Sequence, residues 1–224
     1  MNYGKEFEKY AMSDHNVSSL NMHYHKQQLE NSLTPYILEE REMRVTQMDI
    51  FSRLMADRLL WVAGPVNDQM STIVQAQLMF LSNTANEDIT MHVDSPGGSV
   101  KSGLSMVDVM DYIPCDIKTV NTGMAASMGS VLLGAGTKGK RSSLKHSTTM
   151  LHQSSGGFSG NIQDAKVDWA EWQKVNEELF ILLGSYCGKT AEQVKNDATR
   201  DFWLNAEEAK KYGIIDEIIK PKTK

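Results

Sequence analysis

The chain has 224 residues, 41% of them hydrophobic and 23% charged, with a formal net charge of −5. That is apolar material enough for one real core, and the acidic balance leaves no electrostatic case for binding nucleic acid. The stretch "IVQAQLMFL" at 73–81 contains two glutamines and falls far short of a membrane span.

Residues 1–32 are polar and follow no sustained period, as in a tail, arm or prosegment rather than a core. They show no charged segment leading into an apolar one, the pattern of a secretory signal. His23 and His25, two histidines on a polar tail, do not amount to a metal site. Cys115 and Cys187 have no metal-ligand spacing and fit free thiols in a reducing compartment, so a cytoplasmic protein is expected.

Order is expected from about Leu33. Asp49 reads as the N-cap of a short helix, followed by an apolar strand "LLWVAG" ending at Gly64. Asp68 reads as the cap of a second helix, with Met70, Ile73, Val74, Leu78 and Leu81 at helical spacing. A strand at 88–93 then meets the turn "DSPGGSV", a helix at 102–113, the strand "DIKTVNTG" and a small-residue helix "ASMGSVLLGAG". A short strand at 148–153 leads into the Gly/Ser segment "SSGGFSGN" and a long helix over 161–184. That helix sets Ile162, Ala165, Trp169, Trp172, Val175, Leu179 and Leu183 in one apolar stripe. Val167, Ala170, Phe180 and Leu182 widen it, which fits either a buried core helix or one that also meets another subunit. The piece "TAEQVKNDAT", a capped helix "NAEEAKKYG" closed by Gly213, and a terminal strand complete the chain. Strands alternating with helices predict an α/β fold with largely parallel strands, and ligand sites in such folds gather at the carboxyl ends of the strands.

Two glycine-rich turns fall at such ends, "SPGG" and "GMAAS". Within the second, Ser127 stands between Ala125 and Gly129 as A-x-S-x-G, a near relative of the nucleophile elbow, in which small neighbours permit a sharp strand-to-helix turn. Tight packing alone would also select small residues there. A nucleophilic serine needs a base, and His152 closes the strand "TTMLH" at the same edge, although a hydrogen-bonded core histidine would look alike. The base needs an orienting carboxylate. Asp201 in "TRDFWLN" lies among large apolar residues, where partial desolvation calls for a partner; pairing with Arg200 or an N-cap role are the plain alternatives. The turn "SPGG" and the N–H of Met128 could supply an oxyanion hole.

The segments "DIFSRL", "DSPGGSV", "GMAASMGS", "AGTKGKR", "MLHQ" and "TRDFWLNAEEAKKYGIIDEI" together closely resemble the ClpP family, the proteolytic subunits of ATP-dependent Clp proteases, over about residues 33–220. The resemblance implies a ClpP/crotonase-like α/β fold whose helix at 161–184 is a protruding handle at a subunit interface. It implies a serine endopeptidase with Ser127 as nucleophile, His152 as base, Asp201 as its orienter, and the N–H groups of Gly98 and Met128 as oxyanion hole. It implies two stacked seven-membered rings and unfolded polypeptide delivered by an AAA+ unfoldase, with short peptides cleaved by the rings alone. No cofactor is implied for the subunit, since ATP belongs to the unfoldase. Leu78, His92 and Tyr112 match positions of the family's unfoldase-docking pockets.

Several positions depart from the family's pattern. Asp94 stands where an asparagine usually precedes "SPGG", and Ser154 where a proline follows "HQ". Thr90 and His92 replace aromatic docking residues, and Thr199 replaces an acid that pairs with the following arginine. The family's mature start would fall near 32–34, which marks 1–32 as a propeptide removed by self-cleavage and 33–224 as the protease domain. A noncatalytic ring subunit and a crotonase-type acyl-CoA enzyme are the competing readings.

Overall fold

The computed structural model describes residues 36–41, 44–157 and 161–220. The segment 1–32, its boundary at 33 and the histidines at 23 and 25 lie outside the described residues. Two compact units divide the chain, residues 1–53 and 54–224. In the first, β1 (Tyr36–Arg41) and β2 (Arg44–Asp49) pair antiparallel, from Tyr36 against Asp49 to Arg41 against Arg44. Sequence reading missed this hairpin because its connection, Glu42 and Met43, carries none of the usual glycine or asparagine turn chemistry. The helix α1 (Ile50–Ala56) opens as expected on Asp49, whose Oδ1 accepts the N–H groups of Phe51 and Ser52 at 3.0 Å each.

The second unit is built on a seven-stranded sheet. Strands β3 (Leu59–Ala63), β4 (Ile89–Ser95), β5 (Ile117–Ala126), β6 (Arg141–Leu144) and β9 (Glu217–Ile219) neighbour one another in that order, all parallel. β5 runs for ten residues and serves two partners along one edge. Its Thr119–Asn121 portion pairs β6, and its Met124–Ala126 portion pairs β7 (Thr148–Leu151). β7 in turn pairs antiparallel with β8 (Phe202–Asn205). The parallel α/β expectation is met; β6 (RSSL) carries too little apolar sequence to announce a strand, and β8 (FWLN) runs directly into the cap of the next helix.

The helices α2 (Asp68–Thr84), α3 (Val100–Tyr112), α4 (Met128–Gly134), α5 (Ile162–Cys187), α6 (Ala191–Asp197) and α7 (Ala206–Tyr212) follow the strands. The cap of α2 is Asn67, which accepts Met70 N–H at 2.9 Å, not Asp68. Asp68 instead accepts the Ser102 hydroxyl, tying α2 to α3. Gly103 lets α3 approach α4 so closely that a Cβ there would lie 2.2 Å from the Met128 side chain. Leu60, Val62, Met91, Val93, Met106, Leu132, Leu133 and Ile214 fill the core, each contributing about 2 kcal/mol by burial. α5 extends three residues past its expected end and buries only Leu179, Phe180, Leu183 and Gly184, all in its last third. Ile162, Val167 and Trp169 on its first part are exposed by 75%, 69% and 51%.

Candidate active site

Three strand ends meet beyond β5. Ala126 pairs with Met150 and Leu151 with Phe202. Extending each ladder by one step sets Ser127 beside Leu151 and His152 opposite Asp201. Ser127 N–H donates to Met150 C=O at 2.9 Å, so the register holds up to the serine itself. His152 Nδ1 stands 3.4 Å from Asp201 Oδ1. The distance exceeds that of a strong N–H···O bond, and no hydrogen bond joins Ser127 to His152 among the described residues. Such bonds are commonly long without substrate and tighten around it.

Ser127 has φ 53° and ψ −123°, one of two described non-glycine residues with positive φ. The strand ends at Ala126 and the helix begins at Met128, so one residue makes the whole corner; the helix starts two residues later than its sequence suggested. Ala125, Ala126, Met128, Gly129 and Ser130 are buried while Ser127 is half-buried, so the turn lifts this one hydroxyl out of the packing. Its carbonyl accepts Ser130 N–H at 2.9 Å and the Ser130 hydroxyl at 2.6 Å, which anchors α4 from below.

The "SPGG" turn lies directly against this corner. A Cβ on Gly97 would fall 2.6 Å from Ser127 Cβ and 2.9 Å from Met128 N. Gly97 and Gly98 have φ of 90° and 149°, open to glycine and closed to most side chains. Ser95 holds the turn, donating its hydroxyl to Gly64 C=O at 2.7 Å and accepting Gly97 N–H at 3.1 Å. Neither Gly98 N–H nor Met128 N–H has an acceptor among the described residues. The sequence singles out the "SPGG" turn and Gly98 within it, but gives no separate role to Ser95 or to Gly97, whose contact with the serine only the fold reveals. Asp94 Oδ1 accepts Met124 N–H at 2.9 Å across a bulge between β4 and β5.

An open cleft of about 450 Å³ is lined by His152, Gln153, Ser154, Ser155, Thr199, Arg200 and Asp201. Asp201 is more exposed than its apolar neighbours suggested, with 60% of its side chain accessible, and Trp203, two residues on, is exposed as well. It pairs with His152 rather than with Arg200.

The three residues matched to docking positions part company. Leu78 is fully buried in the core and presents no surface to a partner, since it faces the sheet from α2. Tyr112 is 76% exposed at the end of α3. His92 on β4 stacks on Trp61, ring centroids 4.5 Å apart, and burial lowers its pKa, which favours the neutral ring. Trp61, in the apolar strand β3, is nonetheless 41% exposed. No group of three or more His, Cys, Asp or Glu among the described residues could hold a metal, and no helix there is long and apolar enough to cross a membrane.

Comparison with known proteins follows the same lines. The Clp protease family profile matches residues 40–222. A Porphyromonas gingivalis protein named ATP-dependent Clp protease proteolytic subunit is 43% identical over 220 residues, covering 98% of this chain and 99% of that protein. Bacteroides fragilis proteins of the same name are 43% identical over 215 residues (96% and 98% covered) and 47% identical over 188 residues (84% and 91% covered). These matches favour neither an acyl-CoA enzyme nor a noncatalytic subunit. With a likeness of this depth over nearly its whole length, the chain belongs to the Clp protease family and is a serine peptidase.

Proposed function

We propose that Ser127, His152 and Asp201 are the catalytic triad of this peptidase, with Gly98 N–H and Met128 N–H as its oxyanion hole. The observation that carries the reading is the register of β5, β7 and β8, which brings the residues next to Ala126, Leu151 and Phe202 to one sheet corner, where His152 Nδ1 stands 3.4 Å from Asp201 Oδ1. In the reaction, the Ser127 hydroxyl attacks a peptide carbonyl as His152 takes its proton. The oxyanion forms against the two free amides, and Asp201 keeps the imidazole oriented and offsets its charge. His152 then passes the proton to the leaving amine. Water, deprotonated by His152, cleaves the acyl-enzyme and restores Ser127.

The wider setting is part of the same proposal. The subunit assembles with copies of itself into two stacked heptameric rings, with the exposed first part of α5 as the handle between them. An AAA+ unfoldase docks on the surface carrying Trp61, His92 and Tyr112 and delivers unfolded polypeptide, while short peptides enter unaided. ATP is consumed by that partner and the subunit itself uses no cofactor. The protein works in the cytoplasm, and residues 1–32 are a propeptide. The relatives' shared name, an ATP-dependent proteolytic subunit, supports the partner and the assembly.

Ser127→Ala tests the assignment. Peptide turnover should fall by about 10⁴-fold or more with the particle size unchanged. Turnover within tenfold of wild type would remove Ser127 from the mechanism.

A further inference from the structure

Beyond Leu151, the last residue of β7, the backbone that carries His152 leaves the sheet. It is caught instead by α5. Ser154 N–H donates to Asn176 Oδ1 at 2.9 Å, and the Ser154 hydroxyl donates to the same oxygen at 2.8 Å. Trp172 Nε1–H donates to Ser154 Oγ at 2.6 Å. Trp172 and Asn176 are one turn apart on α5, so a single helix face supplies both grips. Two residues on, a Cβ at Gly156 would lie 3.3 Å from the Trp172 ring, so bare backbone rests against the indole there. A proline at 154 would have neither the N–H nor the hydroxyl, and none of these three bonds could form.

We propose that Ser154, Asn176 and Trp172 form a clamp that positions His152 against Asp201 and so ties peptide hydrolysis to the placement of α5. The inference rests on the reading of His152 as the base. At 3.4 Å the carboxylate contact is too loose to set the imidazole by itself. The serine that bonds α5 also lines the cleft shared by His152 and Asp201, only two residues from the histidine. A shift of α5 therefore reaches the base through two peptide units. Ser154, Asn176 and Trp172 are positioning residues, acting through the placement of His152.

The test uses the full-length protein, with kcat and KM measured on a fluorogenic peptide and rates expressed per site titrated to completion by a fluorophosphonate. Asn176→Leu removes the shared acceptor and should lower kcat about tenfold while KM stays within about twofold. Asn176→Asp keeps an acceptor oxygen and should return kcat to within about threefold of wild type. Trp172→Phe loses the N–H and the outer indole atoms that reach Gly156 but leaves Asn176 in place, and should fall between the two. Because the bonds act as a unit, adding Ser154→Ala to Asn176→Leu should cost little more than Asn176→Leu alone. Wild-type kcat per titrated site in Asn176→Leu and Trp172→Phe overturns the clamp, as does an Asp variant as slow as the Leu variant. His152→Ala separates this from the reading beneath it: full turnover there removes His152 as the base, whereas an inactive His152→Ala with a fast Asn176→Leu removes the clamp alone.

Discussion

At Ser127 the chain accepts a backbone conformation that costs about 1–3 kcal/mol for a residue with a Cβ. It persists because both flanks are over-determined, by the β7 ladder before it and by the Ser130 contacts after it. Gly97 shows the same constraint from the other side, since any side chain would strike Ser127 Cβ, Ala126 O and Met128 N. Gly97→Ala should therefore lower kcat/KM at least about a hundredfold by displacing the serine or the amide beside it. Steady-state kinetics with circular dichroism of the same sample checks that the loss is local. Asp201→Asn leaves the shape intact and should reduce kcat by roughly 10²–10⁴-fold, with KM little changed. The sharp turn at Ser127 was legible in "GMAASMG" because small residues two places either side permit a tight strand-to-helix corner, although packing alone would select the same residues. The exposure of Asp201 was not, because hydropathy around a residue does not say which way its strand faces.

Among the elements, β6, the end of α5 and the turn before β9 are locked by one arginine. Arg141, 2% exposed, donates Nε and Nη2 to Asp216, Nη1 to Tyr186 C=O at 2.8 Å and Nη2 to Gly213 C=O at 3.1 Å. Arg141→Met leaves Asp216 and two carbonyls without these donors and should destabilise the fold by about 3 kcal/mol, read as a lowered unfolding midpoint. Burial acts to raise the Asp216 pKa, but the hydrogen bonds and charge of Arg141 outweigh it and hold the carboxyl below its usual range. A depressed folded pKa contributes stability that is fully present above the unfolded carboxyl value of about 3.9 and is lost as pH falls through the folded value. Asp216→Asn should accordingly flatten the loss of stability below about pH 4 in acid titrations followed by fluorescence. Sequence periodicity found α2, α3 and α5 because each repeats its apolar spacing over several turns. It could not find β6 or β8, whose four residues take their conformation from neighbours distant in the chain.

At the scale of the whole molecule, α5 raises the question of what covers it. Its sequence stripe runs the full length of the helix, yet among the described residues only its last third is buried. Periodicity could say that the stripe wanted a partner and could not say whether that partner was the same chain. If α5 meets another ring as proposed, Val167→Glu places a charge in that contact and should shift the particle to half its size or smaller by sedimentation velocity. An unchanged particle would remove the first part of α5 from the interface. The cysteines need no partner in this account: Cys187 is held inert by burial, which pushes its thiol up to about 12, and Cys115 is buried.

The central claim, that the corner at Ser127 presents an activated hydroxyl, is tested most directly by intact-protein mass after fluorophosphonate treatment, with the adduct mapped by peptide digestion. The account predicts one adduct per chain, on Ser127, absent in Ser127→Ala and in His152→Ala. Peptidase activity with no adduct at Ser127, or an adduct on another serine that abolishes turnover, would contradict it.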